Sequence, residues 1–255
     1  MKKIAIIGTG ISGLRAAFEL AGNHEVSLFE KSSSVGGRIA TRRFENTSIN
    51  HGASNFDGIE LLEGDPLAQK LKEHLSLLGA ATELPKAMRD LLQPRPKLSF
   101  HFKTKISHVN KDLTIEIENG ETLGFDEVII TAPVPQAREL LREKILPEIT
   151  YTKQISFIGM NDSGPVKWML SEDDSDKIFD ESEETIRAHA DRIFGSTAGL
   201  DCKKWRYSRV HKGYPNYFFE HTNNIFICGD AFNPQQTFHL GSAWRSGLMT
   251  ARRVL

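Results

Sequence analysis

The sequence predicts an α/β fold built on a Rossmann-like parallel sheet, and three observations carry that reading. An apolar, β-branched run, KIAII at residues 3–7, leads directly into a glycine turn. The turn opens a stretch with helical periodicity, Ile11 to Leu20, which stops at Gly22. A second strand-like run, EVSLFE at residues 25–30, follows at once. A strand covered on both faces reads as a continuous apolar run rather than an alternating one. Strand, turn, helix and parallel strand in that order make a βαβ unit, which is right-handed in nearly all proteins.

After the loop KSSSVGGR, helices are expected at Pro66–Leu78 and Leu84–Leu92, the second ended by Pro94 and Pro96, since proline cannot continue a helix. Residues 98–131 read as β. LSFHF and KISHV precede the alternating LTIEIE, an Asn119-Gly120 turn and the apolar strand FDEVIITAP. Asn-Gly between two such runs is a strong hairpin signal. A helix is expected from Pro133 to about Leu146. Residues 147–221 carry the weakest pattern. They contain SEDDSDKIFDESEE, with eight carboxylates and one lysine. This run is expected to be a solvated loop feeding a helix that starts after Ser182, because carboxylates complement a helix N-terminus. A strand in IFICGD, a loop and an amphipathic helix in GSAWRSGLMTARRVL close the chain.

The 255 residues are 39% hydrophobic and 25% charged, which excludes disordered and fibrous classes and leaves room for one large domain or two small ones. Lys and Arg number 32 against 33 Asp and Glu, a net charge of −1, so there is no electrostatic footprint for nucleic acid or an anionic membrane. No apolar run approaches the roughly 20 residues that cross a bilayer. Glycines break the apolar stretch after Lys2 and Lys3, so a strand and turn explain it better than a leader peptide. Cys202 and Cys228 make neither a disulfide framework nor a CxxC pair, and a reducing, cytoplasmic setting is expected. The nine histidines are scattered, and no metal site is expected.

Gly8-Thr9-Gly10-Ile11-Ser12-Gly13 matches GxGxxG and sits between a strand and a helix, where the mechanism requires it. The first glycine allows a tight turn, the second lets backbone approach a pyrophosphate, and the third lets helix and strand pack closely. Glu30, at the end of the second strand, is placed to bind the hydroxyls of an adenosine ribose, and its charge disfavours a 2′-phosphate. NAD and FAD both remain open at this point. Gly36 and Gly37 then allow backbone to pass close to a bulky ligand, and Arg38 can pair with a pyrophosphate or with developing flavin charge.

GTGISGL…LFEKSSSVGGR resembles the start of the FAD-dependent amine oxidase superfamily. TAPVPQARELL (131–141) and ICGDAF…GSAWRSGLMTARRV (227–254) resemble its renalase-like branch. The resemblance implies a Rossmann-like FAD-binding domain of the glutathione-reductase type, with a small α+β substrate-capping domain. Residues 1–56, 98–136 and 221–255 would form the first, and residues 57–97 and 137–220 the second, visibly reduced. It also implies non-covalent FAD. Gly8, Gly10, Ile11, Ser12 and Gly13 would hold the pyrophosphate, and Glu30 and Lys31 the ribose. Gly36, Gly37, Arg38 and Ile39 would take the phosphate and flavin side, with Gly52, Ala53 and Ser54 also on the cofactor. Ile106 would present backbone to adenine, Thr131 and Ala132 would cover the adenosine, and Gly229 and Asp230 would reach the ribityl chain. Leu240, Ser242 and Ala243 would aim the terminal helix at the flavin N1/O2 edge.

In INHGASNF, Asn50, Ser54 and Asn55 replace the family's acid, Gln and Tyr. Asn55, Trp168 and His239 are the candidates for contact with substrate, and Phe238 beside His239 lies in a long late loop. Trp205, Tyr207 and Trp244 are further aromatic candidates for the flavin face. No general base stands out, and none is needed when the cofactor carries the chemistry. The implied activity is hydride transfer from a dihydropyridine or amine-type small molecule to flavin N5, with oxygen as acceptor and hydrogen peroxide as product. An amine oxidase or desaturase acting on another metabolite is the alternative enzyme, and a non-catalytic flavin redox sensor the alternative of another class. The oligomeric state stays open.

Overall fold

In the computed structural model, residues 1–54, 64–71, 80–143, 147–222, 224–237 and 239–255 are described. The first half runs β1 (Lys3–Ile7), α1 (Ile11–Leu20), β2 (Glu25–Phe29), a hairpin of β3 (Thr41–Arg43) and β4 (Ser48–Asn50), α2 (Pro66–Lys70) and α3 (Glu83–Leu92). Then come β5 (Leu98–His101), β6 (Ile106–Val109), β7 (Thr114–Ile117), β8 (Thr122–Gly124), β9 (Glu127–Ile130) and α4 (Val134–Leu141). The rest is β10 (Thr150–Asn161), β11 (Gly164–Met169), α5 (Glu172–Ile178), α6 (Glu183–Phe194), β12 (Asp201–Lys212), β13 (Phe219–Thr222), β14 (Ile225–Ile227) and α7 (Leu240–Val254).

The continuous apolar runs become the central sheet, ordered β13-β14-β9-β1-β2-β5. It is parallel throughout except for β13, which pairs antiparallel with β14. Both faces are covered, which explains why KIAII and EVII lack alternation. One face packs on α1, α2, α3 and α7. The other packs on α4 and on the antiparallel meander β6-β7-β8. A separate antiparallel sheet, β11-β10-β12, closes its own small core with α5 and α6.

Several expectations need correction. The Asn119-Gly120 turn joins β7 to the short β8, whereas FDEVII enters the central sheet beside β1. The helix expected to run to about Leu146 ends at Leu141, where Arg142 turns left-handed with φ 51°. The acidic run is not a loop: Ser171 accepts from the Asp174 amide and caps α5, whose first turn holds Glu172, Asp173 and Asp174. Charges that suit solvent also suit the positive end of a helix. Ser182 does cap α6, by accepting from the Thr185 amide. Of the helix expected at Pro66–Leu78, Pro66–Lys70 is helical and residues 72–78 lie outside the described residues. Residues 57–97 were expected in the capping unit, but Leu67, Ala68, Leu84, Met88 and Leu92 pack in the same core as α1.

Candidate cofactor and substrate site

The chain leaves β1 for α1 on one face of the sheet and leaves β9 for α4 on the other. β1 and β9 are neighbours, so the sheet has a topological switch point between them, and ligands of such sheets bind outside the strand ends there. Gly8 and Thr131 occupy that position. Gly8 has φ +106°, and a Cβ on it would fall 2.5 Å from Thr131 Oγ1. A Cβ on Gly13 would fall 2.1 Å from the Gly8 carbonyl oxygen, so only glycine lets α1 lie this close to β1. Gly10 differs from both, because no atom lies within 4 Å of the position its Cβ would take. It is the N-cap of α1 and makes no side-chain cap. The helix therefore presents unsatisfied N–H groups and its positive end to open space. Across that space, Gly36 N–H bonds the Thr9 carbonyl at 3.0 Å, and Gly37 faces the Gly10 Cα. These are the features of a pyrophosphate cradle, and a dinucleotide fits them.

Glu30 lies at one end of the cradle, 7% exposed. Its carboxylate accepts from the Thr9 amide (3.1 Å), the Thr9 hydroxyl (2.7 Å) and the Ser32 amide (2.9 Å), which fixes it at the strand end. Lys31 beside it is exposed. The Thr104 amide bonds the Glu30 carbonyl at 2.9 Å, two residues before Ile106, the first residue of β6 and the expected backbone contact of the adenine. Thr131 has a structural role that sequence reasoning missed. Its hydroxyl donates to the Ile7 carbonyl at 2.9 Å and lies 3.2 Å from that of Gly8, bracing the turn. Ala132 follows, half-buried.

At the other end, Arg38 and Asp230 are brought together, but on each other. Arg38 Nη2 donates to Asp230 Oδ1 at 2.5 Å, and Nη1 donates to the Tyr207 carbonyl at 2.9 Å. Burial works against charge on Arg38, yet Asp230 outweighs it and holds the guanidinium above its ordinary pKa. Tyr151 lies under that guanidinium, 5.9 Å from centroid to Cζ, and packs edge-on against Tyr207. Burial, then Asp230, pushes the Tyr151 phenol up. The roles expected for Arg38 and Asp230 on phosphate and ribityl groups therefore compete with a protein ion pair. Ile39 is buried, and Gly229 hands its amide to Ser246 Oγ.

The terminal helix also departs from expectation. His239 is its N-cap: its Nδ1 accepts from the Ser242 amide at 3.3 Å, while Ser242 Oγ accepts from the His239 amide. Ser242 Oγ also donates to the Thr237 carbonyl, and Asn233 ties the same loop to Thr237 and Ser242. Ser242 is 1% exposed, and the Ala243 amide bonds the His239 carbonyl. Neither amide is available to a flavin edge, contrary to the resemblance. Helix geometry leaves the amides of Leu240 and Gly241 without an intrahelical acceptor. His239 is thus a capping residue, and Phe238 lies outside the described residues.

The capping sheet sorts the aromatic candidates. In β10-β11-β12, Phe157 pairs with Trp168 and faces α6, where Trp168 stacks on Phe194 at 5.6 Å. Trp168 is therefore core packing and not a substrate contact. Trp244 is fully buried, with Nε1 donating to Asp65 at 2.8 Å. Trp205 instead approaches the His51 ring at 5.8 Å on the side facing β4, and Tyr207 carries the Arg38 contact. Asn50 accepts from Thr41 Oγ1 and the Ala81 amide. Gly52 sits so close to Arg38 that its Cβ would fall 2.2 Å from the Arg38 carbonyl oxygen. The Ala53 amide bonds that carbonyl, with Ala53 exposed and Ser54 half-buried. Asn55 lies outside the described residues.

A buried network escaped sequence reasoning. Arg15, 1% exposed, pairs with Asp65 at 3.1 Å and with Glu19 at 2.6 Å. Asp65 also caps α2 by accepting from Leu67 and Ala68. Burial raises the Asp65 pKa, but the Trp244 hydrogen bond, Arg15 and those amides together hold it below the ordinary value. Asp-Pro before a helical run was the available signal.

With the fold and glycine cradle described, comparison with known proteins gives the class first. Residues 6–66 match the model of the NAD(P)-binding Rossmann-like domain. Residues 67–168 match that of the flavin containing amine oxidoreductases, which implies a flavin cofactor. An L-amino-acid oxidase of Sistrurus catenatus edwardsii is 48% identical over 52 residues, 20% of this chain and 10% of that protein. A 4,4'-diapophytoene desaturase of Staphylococcus aureus is 55% identical over 38 residues, 14% of this chain and 8% of that protein. The matched stretches thus span about a tenth of these relatives or less. The crystal structure of an oxidoreductase from Methanosarcina mazei superposes with TM-score 0.65 at 10% identity, covering 98% of this chain and 100% of that one; at that identity the likeness is one of fold. Together the matches support the FAD amine oxidase superfamily. Among the described residues no helix is long and apolar enough to cross a membrane.

Proposed function

We propose that this chain is a cytoplasmic FAD-dependent oxidoreductase of renalase-like type. It would take a hydride from a dihydropyridine or amine-type small molecule to flavin N5, with oxygen as acceptor. The observation that carries the reading is the open space before Gly10, bounded by Gly37 and by the N-terminus of α1, with Glu30 fixed at its edge. FAD supplies the two-electron acceptor when bound. The backbone at Gly10 and Gly37 would hold its pyrophosphate, Glu30 would accept from the ribose hydroxyls, and Leu240 and Gly241 would offer free amides. Arg38 would exchange one carboxylate partner for a phosphate, an anion of the same hydrogen-bonding kind. Tyr151, Tyr207 and Trp205 would wall the substrate side and exclude water. A capping sheet of three strands gives this wall little depth, which favours a small or planar substrate.

The test begins with the absorption spectrum of the purified protein, or of the protein titrated with FAD. Flavin bands that shift on binding are expected. Anaerobic mixing with amines and with reduced nicotinamides should then bleach the bands, and air should restore them with release of hydrogen peroxide. A protein that neither carries nor binds FAD overturns the cofactor assignment. Bound flavin that no substrate bleaches overturns the enzyme assignment.

A further inference from the structure

A buried polar atom without a partner is uncommon, because it forfeits its hydration and gains nothing. Three such atoms, His51 Nδ1, Ser156 Oγ and Trp205 Nε1, fall on one patch of this molecule. Strand register places them together. Ser156 pairs with Lys203 and Met169, and Ile158 pairs with Lys167 and Asp201. Residues two apart on a strand share a face, so Ser156, Lys167, Lys203 and Trp205 all point the same way. They point toward the β3-β4 hairpin, because Lys167 Nζ reaches the Asn50 carbonyl at 2.8 Å and the Trp205 ring lies against His51. Ser156 is 1% exposed, and its hydroxyl is aimed into this layer.

The charges around the patch do not balance. Asp201 is shared between Lys203 at 3.3 Å and Arg42 at 3.7 Å. Lys167 has a backbone carbonyl and, among the described residues, no carboxylate within ion-pair distance. Burial, then Lys203 and Lys167, hold His51 below the usual imidazole range, so its ring is neutral at pH 7 and the surplus charge lies on the lysines. An indole N–H that can only donate, a hydroxyl, an imidazole nitrogen and an ammonium with no carboxylate partner among the described residues suit an anionic acceptor with two oxygens, such as a carboxylate.

We propose that the layer between β3-β4 and β10-β11-β12 holds a carboxylate subsite formed by Lys167, Trp205, Ser156 and His51, which takes the acid group of the substrate. This rests on the reading that the substrate lies beneath the capping sheet, and it narrows the substrates to those that carry a carboxylate. The subsite can be tested without turnover. Trp168, Trp205 and Trp244 give three indole N–H signals in a nitrogen-15 spectrum of the purified protein, and Trp205→Phe identifies one of them. Trp168→Phe and Trp244→Phe, each removing one signal, do the same by elimination should Trp205→Phe not fold. Titration with acetate or benzoate should shift that signal saturably. Lys167→Met should weaken the binding about tenfold or more, the loss typical of a charge-assisted contact. Lys153→Met should change nothing, since its ammonium lies 5.4 Å from the Phe179 ring on the opposite side of the sheet. No saturable shift, an equal shift with chloride, or full binding by Lys167→Met would overturn the proposal and leave a water as the occupant. Flavin binding is read separately from the visible spectrum, so failure of the cofactor assignment is distinguishable from failure of this subsite.

Discussion

Gly10→Ala and Gly13→Ala make the same chemical change three residues apart, and opposite outcomes are expected. At Gly10 the backbone has φ −70° and ψ 179°, which alanine adopts without strain. The new methyl meets nothing within 4 Å. Reduced freedom of the unfolded chain stabilises the variant by about 0.4–1 kcal/mol, and the poorer N-cap costs about 0.5–1 kcal/mol. The two offset, and the thermal midpoint should stay within about 2 °C of the parent. The methyl does, however, occupy the space a pyrophosphate needs. Losing one charge-assisted bond there costs about 1.5–3 kcal/mol, roughly ten- to hundredfold in affinity. At Gly13 the methyl would fall 2.1 Å from the Gly8 carbonyl oxygen and 3.3 Å from Thr131 Oγ1. Backbone cannot yield cheaply, so α1 must lift from β1, at a cost of about 1–3 kcal/mol or more. Thermal unfolding of cofactor-free protein measures the first quantity, and quenching of flavin fluorescence during FAD titration measures the second. A Gly10→Ala protein that binds FAD as tightly as the parent would refute the assignment of this space to pyrophosphate.

Other expectations concern stability and reactivity. Asp65→Ala leaves the buried Arg15 with Glu19 alone and should cost about 3 kcal/mol, or roughly 6–12 °C in thermal midpoint. Arg15→Met should cost less, because Asp65 keeps Trp244 and two amides; equal losses in a melting experiment would contradict the buried-charge argument. The pKa of Asp65 is depressed in the folded state, so its contribution is complete above its ordinary value of 3.8 and fades as pH falls through the folded value. Asp65→Asn should therefore flatten the loss of stability in acid titrations followed by circular dichroism. Cys228 is fully buried, and burial pushes its thiol up to about 12. Iodoacetamide at pH 7 followed by mass spectrometry should leave it unmodified until the protein is unfolded, and rapid labelling of native protein would argue against its burial.

The legible parts of the fold were those encoded over short distances. β1, the glycine turn, α1 and β2 sit where the apolar pattern puts them, because a fully covered strand and an amphipathic helix each leave a local signature. The short β8 was missed because three residues carry too little alternation to register. The acidic run was misread because only Ser175 and Phe179 among its residues are buried, which gives almost no periodicity to read. Within the candidate site, the Gly8–Gly13 turn and Glu30 lie where their spacing puts them, between β1 and α1 and just after β2. Trp168 and Trp205 looked equivalent in sequence, since strand pairing decides which face each side chain takes. The pairing of Arg38 with Asp230 joins residues 192 apart, and nothing local encodes it.

By itself the sequence determined the strand, glycine turn and helix with a carboxylate at the next strand end, because glycine spacing and an apolar run act through neighbouring backbone. The tertiary structure alone decided what surrounds the cradle. It capped the last helix with His239, locked Arg38 to Asp230, stacked Trp168 on Phe194, buried Trp244, and gathered Lys167, Trp205 and Ser156 on one face. Each of these depends on strand register and on which sheet face a helix covers, and both are set by packing among segments far apart in the chain.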